Sequence, residues 1–173
     1  PVYAEMVNIV NNRPVTFDGF KVEPEKVQSM FSNFVFNNAR PITKSMLAWW
    51  AFQYDSQELI SLETILEVEH IYARNRYEND KSLSDVRNLE ALGNKALLEK
   101  RINIRAADYR FADKIKYYQG FTNSRNQQKE GTQNHELILL STADDFTEAD
   151  IVRRTEDIMS AFVAFLKDND LTK

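Results

Sequence analysis

The stretch Leu66-Glu67-Val68-Glu69-His70-Ile71-Tyr72 decides the fold. Leu66, Val68, His70 and Tyr72 alternate with Glu67, Glu69 and Ile71, the two-residue period of a strand. Downstream, Leu92-Gly93-Asn94-Lys95-Ala96-Leu97-Leu98 reads as a second short strand that includes a glycine. A helix is expected from about Asn103. Ala107, Phe111, Ile115 and Tyr118 mark its buried face, and Arg105, Arg110, Lys114 and Lys116 its polar sides. Two strands and a helix at about residues 66–118 therefore form a small α+β unit.

The flanking sequence is mostly helical in pattern. Pro24 opens a helix whose apolar positions Val27, Met30, Phe31, Phe34 and Val35 recur at helical spacing. A second begins at Arg40-Pro41-Ile42-Thr43, with Thr43 as its expected cap, and runs through Met46, Leu47, Trp49, Trp50 and Phe52. Residues 56–66 read equally as helix or strand. Residues 74–90, dense in charge, read as an exposed loop, and 119–134 as a loop as well. His135–Leu140 is a short apolar piece of open type. The last helix starts at Thr147, with Asp150 at capping-box distance. Residues 1–22 are expected to be a lead-in or linker, and 23–173 the domain.

Composition narrows the function. The chain has 173 residues and no cysteine, so disulfide scaffolds, cysteine-ligated metal centres and thiol catalysis are excluded. The lack of cysteine fits a reducing compartment, and a cytoplasmic location is expected. No apolar run is long enough for a membrane span. Pro1 rather than Met stands first, which suggests a piece of a longer protein. Net charge is −4, but residues 95–129 hold nine Lys or Arg against three acids. That is a local +6, leaving −10 on the rest. A basic stripe on an acidic body suits phosphate binding, although a solvated helix face has the same pattern.

Only two histidines are present. His135 has no carboxylate cluster near it in sequence and is expected to be structural or exposed. His70 follows Glu69 at a strand end. Neighbouring strand residues point to opposite faces, but where the pleat ends both can reach one cleft. A carboxylate there could hold a divalent cation, and a neutral imidazole could take a proton from water. The amide side chains of Asn94 and Asn103 add hard oxygen donors suited to Mg²⁺ or Mn²⁺. An isolated Glu-His pair is more often a satisfied buried histidine than a site. The order of the elements is what changes that weighing.

Val68-Glu69-His70-Ile71, then Leu92-Gly93-Asn94 with Ala96-Leu97-Leu98, then Asn103 and a basic helix, resembles the ββα-metal finger of the HNH nucleases. More narrowly, it resembles the C-terminal domain of GmrSD-type, modification-dependent restriction enzymes. Phe111, Lys114 and Tyr117 in Asp108–Tyr117, and Phe146, Ile151, Arg154 and Ile158 later, fit the same pattern. The likeness spans roughly residues 40–166. The chain departs from it at Tyr72-Ala73, where a proline is common, and at Lys95, where leucine is common. The 23 residues between His70 and Asn94 exceed a compact finger. The third motif position is Asn103 rather than histidine.

The resemblance implies a fold and a set of roles. The fold would be a short two-stranded ββα-metal finger embedded among flanking helices. Glu69 and Asn103 would hold one Mg²⁺ or Mn²⁺ at the scissile phosphate, with His70 as general base for the attacking water. Asn94 would bond across the loop and fix the strand geometry. Lys100, Arg101, Arg105 and Lys114 would contact DNA backbone phosphates. The implied activity is metal-dependent DNA cleavage in a restriction or antiviral defence system, beside an N-terminal nucleotide-sensing domain. The alternative is a non-catalytic DNA-binding or docking module on the same scaffold. The catalytic reading requires residues 69, 70 and 103 to converge on one cation.

Overall fold

The computed structural model describes residues 2–15, 18–107 and 110–173. Pro1, Thr16 and Phe17 of the expected lead-in, and Asp108 and Tyr109 of the late motif, lie outside the described residues. The protein is α+β and mostly helical, as expected. Its described residues form eight α-helices and two antiparallel two-stranded sheets. The chain divides into two compact units, Val35–Glu156, and Pro1–Phe34 with Asp157–Lys173.

The larger unit is built on β1 (Leu66–His70) and β2 (Lys95–Glu99). Glu69 pairs with Ala96 and His70 with Lys95. Strand alternation then places Glu67, Glu69, Ala96 and Leu98 on one face, and Val68, His70, Lys95 and Leu97 on the other. Ala96 and Leu98 join a core with Ile71, Tyr72, Leu89, Ile102, Phe111, Tyr118, Leu137, Phe146 and Ile151. Burying such side chains stabilises the unit by about 1.5–3 kcal/mol each.

Both strands differ from the expected bounds. β1 stops at His70, because Ile71 N donates to the Asn94 carbonyl and Tyr72 N to the Asn94 side chain. Residues 92–94 are a short 3-10 turn rather than strand. Gly93 is required there: a Cβ would stand 2.2 Å from the Ile151 carbonyl oxygen and from Thr155 Oγ1. The helix expected from Asn103 is two helices, α5 (Lys100–Ala106) and α6 (Phe111–Gln119). The chain turns at Ala107, whose φ of 43° no helix accommodates.

The charged stretch 74–90 is not an extended loop. It holds α4 (Arg74–Asp80) and a 3-10 turn at Val86–Glu90, with Leu83 and Leu89 buried. Its charges are partly spent in ion pairs: Arg76 grips Asp145 with two bonds of 2.6 and 2.7 Å. α3 (Pro41–Ala51) takes Arg40 as its cap. Thr43, the expected cap, is instead buried and donates to the Asn37 carbonyl. Residues 119–134 contain a hairpin of β3 (Gly120–Thr122) and β4 (Gln128–Glu130), followed by α7 (His135–Leu140). His135 meets Ser56 at the surface.

The smaller unit contains α1 (Val2–Val10), α2 (Pro24–Asn33) and the end of α8 (Glu148–Asp168). Val22 bridges Thr172, and Phe31 packs on Phe162. Of the expected α2 face, Val27 is buried whereas Met30 and Val35 are exposed. Thr147 opens α8 as expected: its backbone N–H and hydroxyl both donate to Asp150.

Candidate active site

Asn94 organises the end of β1. It is fully buried. Its Oδ1 accepts from Tyr72 N at 2.7 Å, and its Nδ2 donates to the carbonyls of Tyr72 and Leu89 at 3.1 and 2.9 Å. Its own carbonyl accepts from Ile71 N. Every polar atom of the side chain is used, so the residues after His70 are held in one path. Arg154 supports the same turn, donating to the carbonyls of Leu92, Gly93 and Lys95 while pairing with buried Glu136 at 2.6 and 2.7 Å.

Glu69 and His70 lie on opposite faces of the sheet and meet different partners. Glu69 is 4% exposed. Its Oε1 accepts from Lys114 Nζ and from the Tyr118 hydroxyl, each at 2.7 Å. Lys114 also donates to the His70 carbonyl. Burial, and then the charge of Glu69, raise the Tyr118 hydroxyl well above its ordinary pKa, so it stays a proton donor. The expectation that Lys114 reaches a DNA phosphate is corrected: at 1% exposure its ammonium is sealed against Glu69.

Asn103 shares the sheet face of Glu69, but its amide donates to Glu67 Oε2 at 2.9 Å. Glu69, His70 and Asn103 therefore do not converge. A test of fit for Mg²⁺ or Mn²⁺ comes out against the expected ligands. Glu69 Oε1 already carries an ammonium and a phenol, and the Asn103 amide is engaged with Glu67 instead. Among the described residues no group of three His, Asp or Glu side chains is placed to hold a metal ion.

On the opposite face, His70 has partners that are distant in sequence terms. Its Nε2 is buried, makes no aligned hydrogen bond, and lies 3.4 Å from Glu90 Oε1. Glu90 is held from two sides, by Arg74 at 2.6 Å and by Lys95 at 2.7 Å. Lys95 is fully buried and also donates to the Phe36 carbonyl. Burial lowers the imidazole pKa, opposed by Glu90 and aided by Lys95 and Arg74. Burial alone would raise Glu90, but the hydrogen bond and charge of Lys95, with His70 and Arg74, hold it below the ordinary carboxylate range. The imidazole thus faces a carboxylate that Arg74 and Lys95 hold in place.

Glu90 and Arg74 were not singled out by sequence reasoning, and Tyr118 was read only as part of a buried helix face. Glu90 and Arg74 sit in the stretch read as loop, where only their number, not their direction, was legible. Lys95 was visible only as a departure from leucine at a position given no part in the chemistry.

The expected phosphate contacts of α5 are at the surface. Lys100 and Arg101 are exposed and Arg105 is half-buried. Arg101 pairs with Glu130 at 2.6 Å, and Lys100 stands 3.7 Å from Glu67.

A two-stranded antiparallel sheet closed by a buried asparagine, with a histidine at its strand end and a helix following, defines a small ββα unit. Over residues 22–161 the sequence matches the family described as GmrSD restriction endonucleases, C-terminal domain. The chain belongs to that family. No curated protein and no solved structure matches it.

Proposed function

We propose that the chain is a DNA-cleaving phosphodiester hydrolase of the HNH type, the cleavage domain of a restriction or phage-defence enzyme. Membership of a restriction endonuclease family supports the reaction class. The observation that carries the site is the unpaired Nε2 of His70 facing the Glu90 carboxylate. With the Nε2 proton turned toward Glu90, Nδ1 carries the lone pair that can accept a proton from water. Glu90 then stabilises the imidazolium as the water attacks phosphorus and the P–O3′ bond breaks, the departing oxygen taking its proton from solvent. Arg74, more than half exposed, and Lys95 keep the cluster positive, which favours an incoming phosphate. Asn94 and Lys114 position the backbone of His70.

The cofactor implied by the resemblance is Mg²⁺ or Mn²⁺. Glu69 and Asn103 do not fit as its ligands in this arrangement, so no step is assigned to it. A second reading is favoured by one observation: Glu69 and Lys114 neutralise each other in the interior, as they would in a DNA-binding or docking module that kept only the scaffold.

The test is nicking of supercoiled plasmid DNA with Mg²⁺, with Mn²⁺ and with chelator. Cleavage supports the hydrolase reading, and its dependence on the added ion shows whether a metal takes part. DNA retention that falls with salt, without cleavage under any condition, supports the docking module instead.

A further inference from the structure

We infer that the β3–β4 hairpin is a second DNA-contacting element, in which Arg125 and Lys129 take backbone phosphates. The inference rests on the nuclease reading and extends it to a part of the fold to which no role has been given. The first observation is charge. From Gly120 to Glu130 the hairpin carries Arg125 and Lys129 against one acid, Glu130, which is paired with Arg101. Among the described residues neither cation has an ion pair. The cations of α5 are less free, since Arg101 is bound by Glu130 and Lys100 lies near Glu67.

The second observation is order at the tip. The Asn123 Oδ1 accepts from Arg125 N at 3.0 Å and Gln127 N at 2.9 Å, and its Nδ2 donates to Gln127 Oε1. Asn126 takes the left-handed conformation, φ 57°, that closes the turn. Thr122 bonds Gln128 across the strands. The tip is therefore pre-formed, and binding through it would not have to order a loop. The third observation is attachment. Arg101 and Arg105 both reach Glu130, one to its carboxylate and one to its carbonyl, so the ribbon is fixed beside basic α5. A two-stranded ribbon is narrow enough for the major groove, which is about 12 Å wide.

Position along the sheet agrees. α5 starts at Lys100, next to the Leu66–Glu99 end of the sheet, whereas His70 pairs with Lys95 at the other end. Four residues at roughly 3.3 Å each set the two ends about 13 Å apart.

The test compares the parent chain with the double variant Arg125→Gln, Lys129→Gln, both in a His70→Ala background so that the DNA survives. Binding of a short duplex is followed by fluorescence anisotropy across a salt series. Loss of two phosphate contacts is expected to reduce the slope of log affinity against log salt by about 1.8, with similar weakening for unrelated duplexes. Both residues are at or near the surface, so the melting temperature should hold. Asn123→Ala is a second variant that leaves the charge unchanged but frees the tip, and it should weaken binding without changing the slope. An unchanged slope and affinity in the double variant, while the unsubstituted chain still cleaves DNA, would overturn the hairpin assignment alone. No DNA retention or cleavage by the unsubstituted chain would remove both it and the nuclease reading.

Discussion

Two carboxylate–ammonium pairs flank one small sheet, and they differ in what surrounds them. Glu69–Lys114 lies on one face, capped by the Tyr118 hydroxyl, with both partners almost completely buried. Glu90–Lys95 lies on the other, with the ammonium fully buried but the carboxylate side chain one-third exposed, an imidazole at its edge and Arg74 leading outward. In the first pair one carboxylate oxygen takes both the ammonium and the phenol in the interior. The second sets an imidazole nitrogen 3.4 Å from its carboxylate, without an aligned hydrogen bond. Adjacent residues 69 and 70 are thus divided by strand alternation into a structural pair and a chemical one.

The division can be broken most severely from the Glu69 side. Glu69→Ala leaves the Lys114 ammonium buried and uncompensated, and is expected to destabilise the fold by about 3–5 kcal/mol in urea unfolding. Glu69→Leu with Lys114→Met should recover most of that loss, because it removes both charges. If the single substitution proved mild, the pair would not be the sealed structural element described. Next in size, Gly93→Ala should cost about 1–3 kcal/mol, since the added methyl must push the turn away from α8. Cleavage should fall with it, because the same turn holds Asn94.

On the His70 side the expected effects are smaller and appear in pH profiles. Cleavage should gain activity with rising pH through a midpoint below the ordinary imidazole value of about 6.5, because burial lowers the His70 pKa. Glu90 opposes that shift, so Glu90→Gln should move the acid limb further down and reduce the rate. A limb that stays in place would separate Glu90 from His70. The smallest effect concerns Glu148, which accepts from the backbone of Ser84 and Asp85 and from the side chains of Asn88 and Ser84, below the turn that carries Glu90. These bonds lower its pKa from 4.5 to about 2. The folded state binds its proton less readily than the unfolded chain. Its stabilising contribution is therefore complete above about pH 4.5 and fades as pH falls toward 2. Glu148→Gln should flatten stability across that window, measured by thermal melts at a series of pH values.

Much of the frame was legible because it is local. The alternation of 66–72 locates β1 and fixes which side chains share a face. The Gly93-Asn94 pair, read as strand, is a tight turn, and Asn94 bonds across the loop there. What was not legible depends on contacts distant in sequence. A charge-rich stretch at 74–90 gives no hint that Arg76 will meet Asp145 or that Glu90 will turn toward His70. Lys114 has the composition of a surface lysine, and only its place on α6, one turn before Tyr118, aims it inward at Glu69. Helical spacing carried the argument from Asn103 to Lys114 along one axis, and the break at Ala107 removed that premise. Strand alternation itself already opposed the convergence of Glu69 and His70, and in the structure it prevailed over the strand-end exception.

The claim at the centre is that His70 accepts the proton from the attacking water. It is tested most directly by single-turnover cleavage of plasmid DNA by the chain and by its His70→Ala variant, with melting temperatures measured alongside. General-base catalysis contributes about 10²- to 10⁴-fold, so the account predicts a loss of that size with the fold retained. A folded His70→Ala protein that cleaves at the parent rate would contradict it.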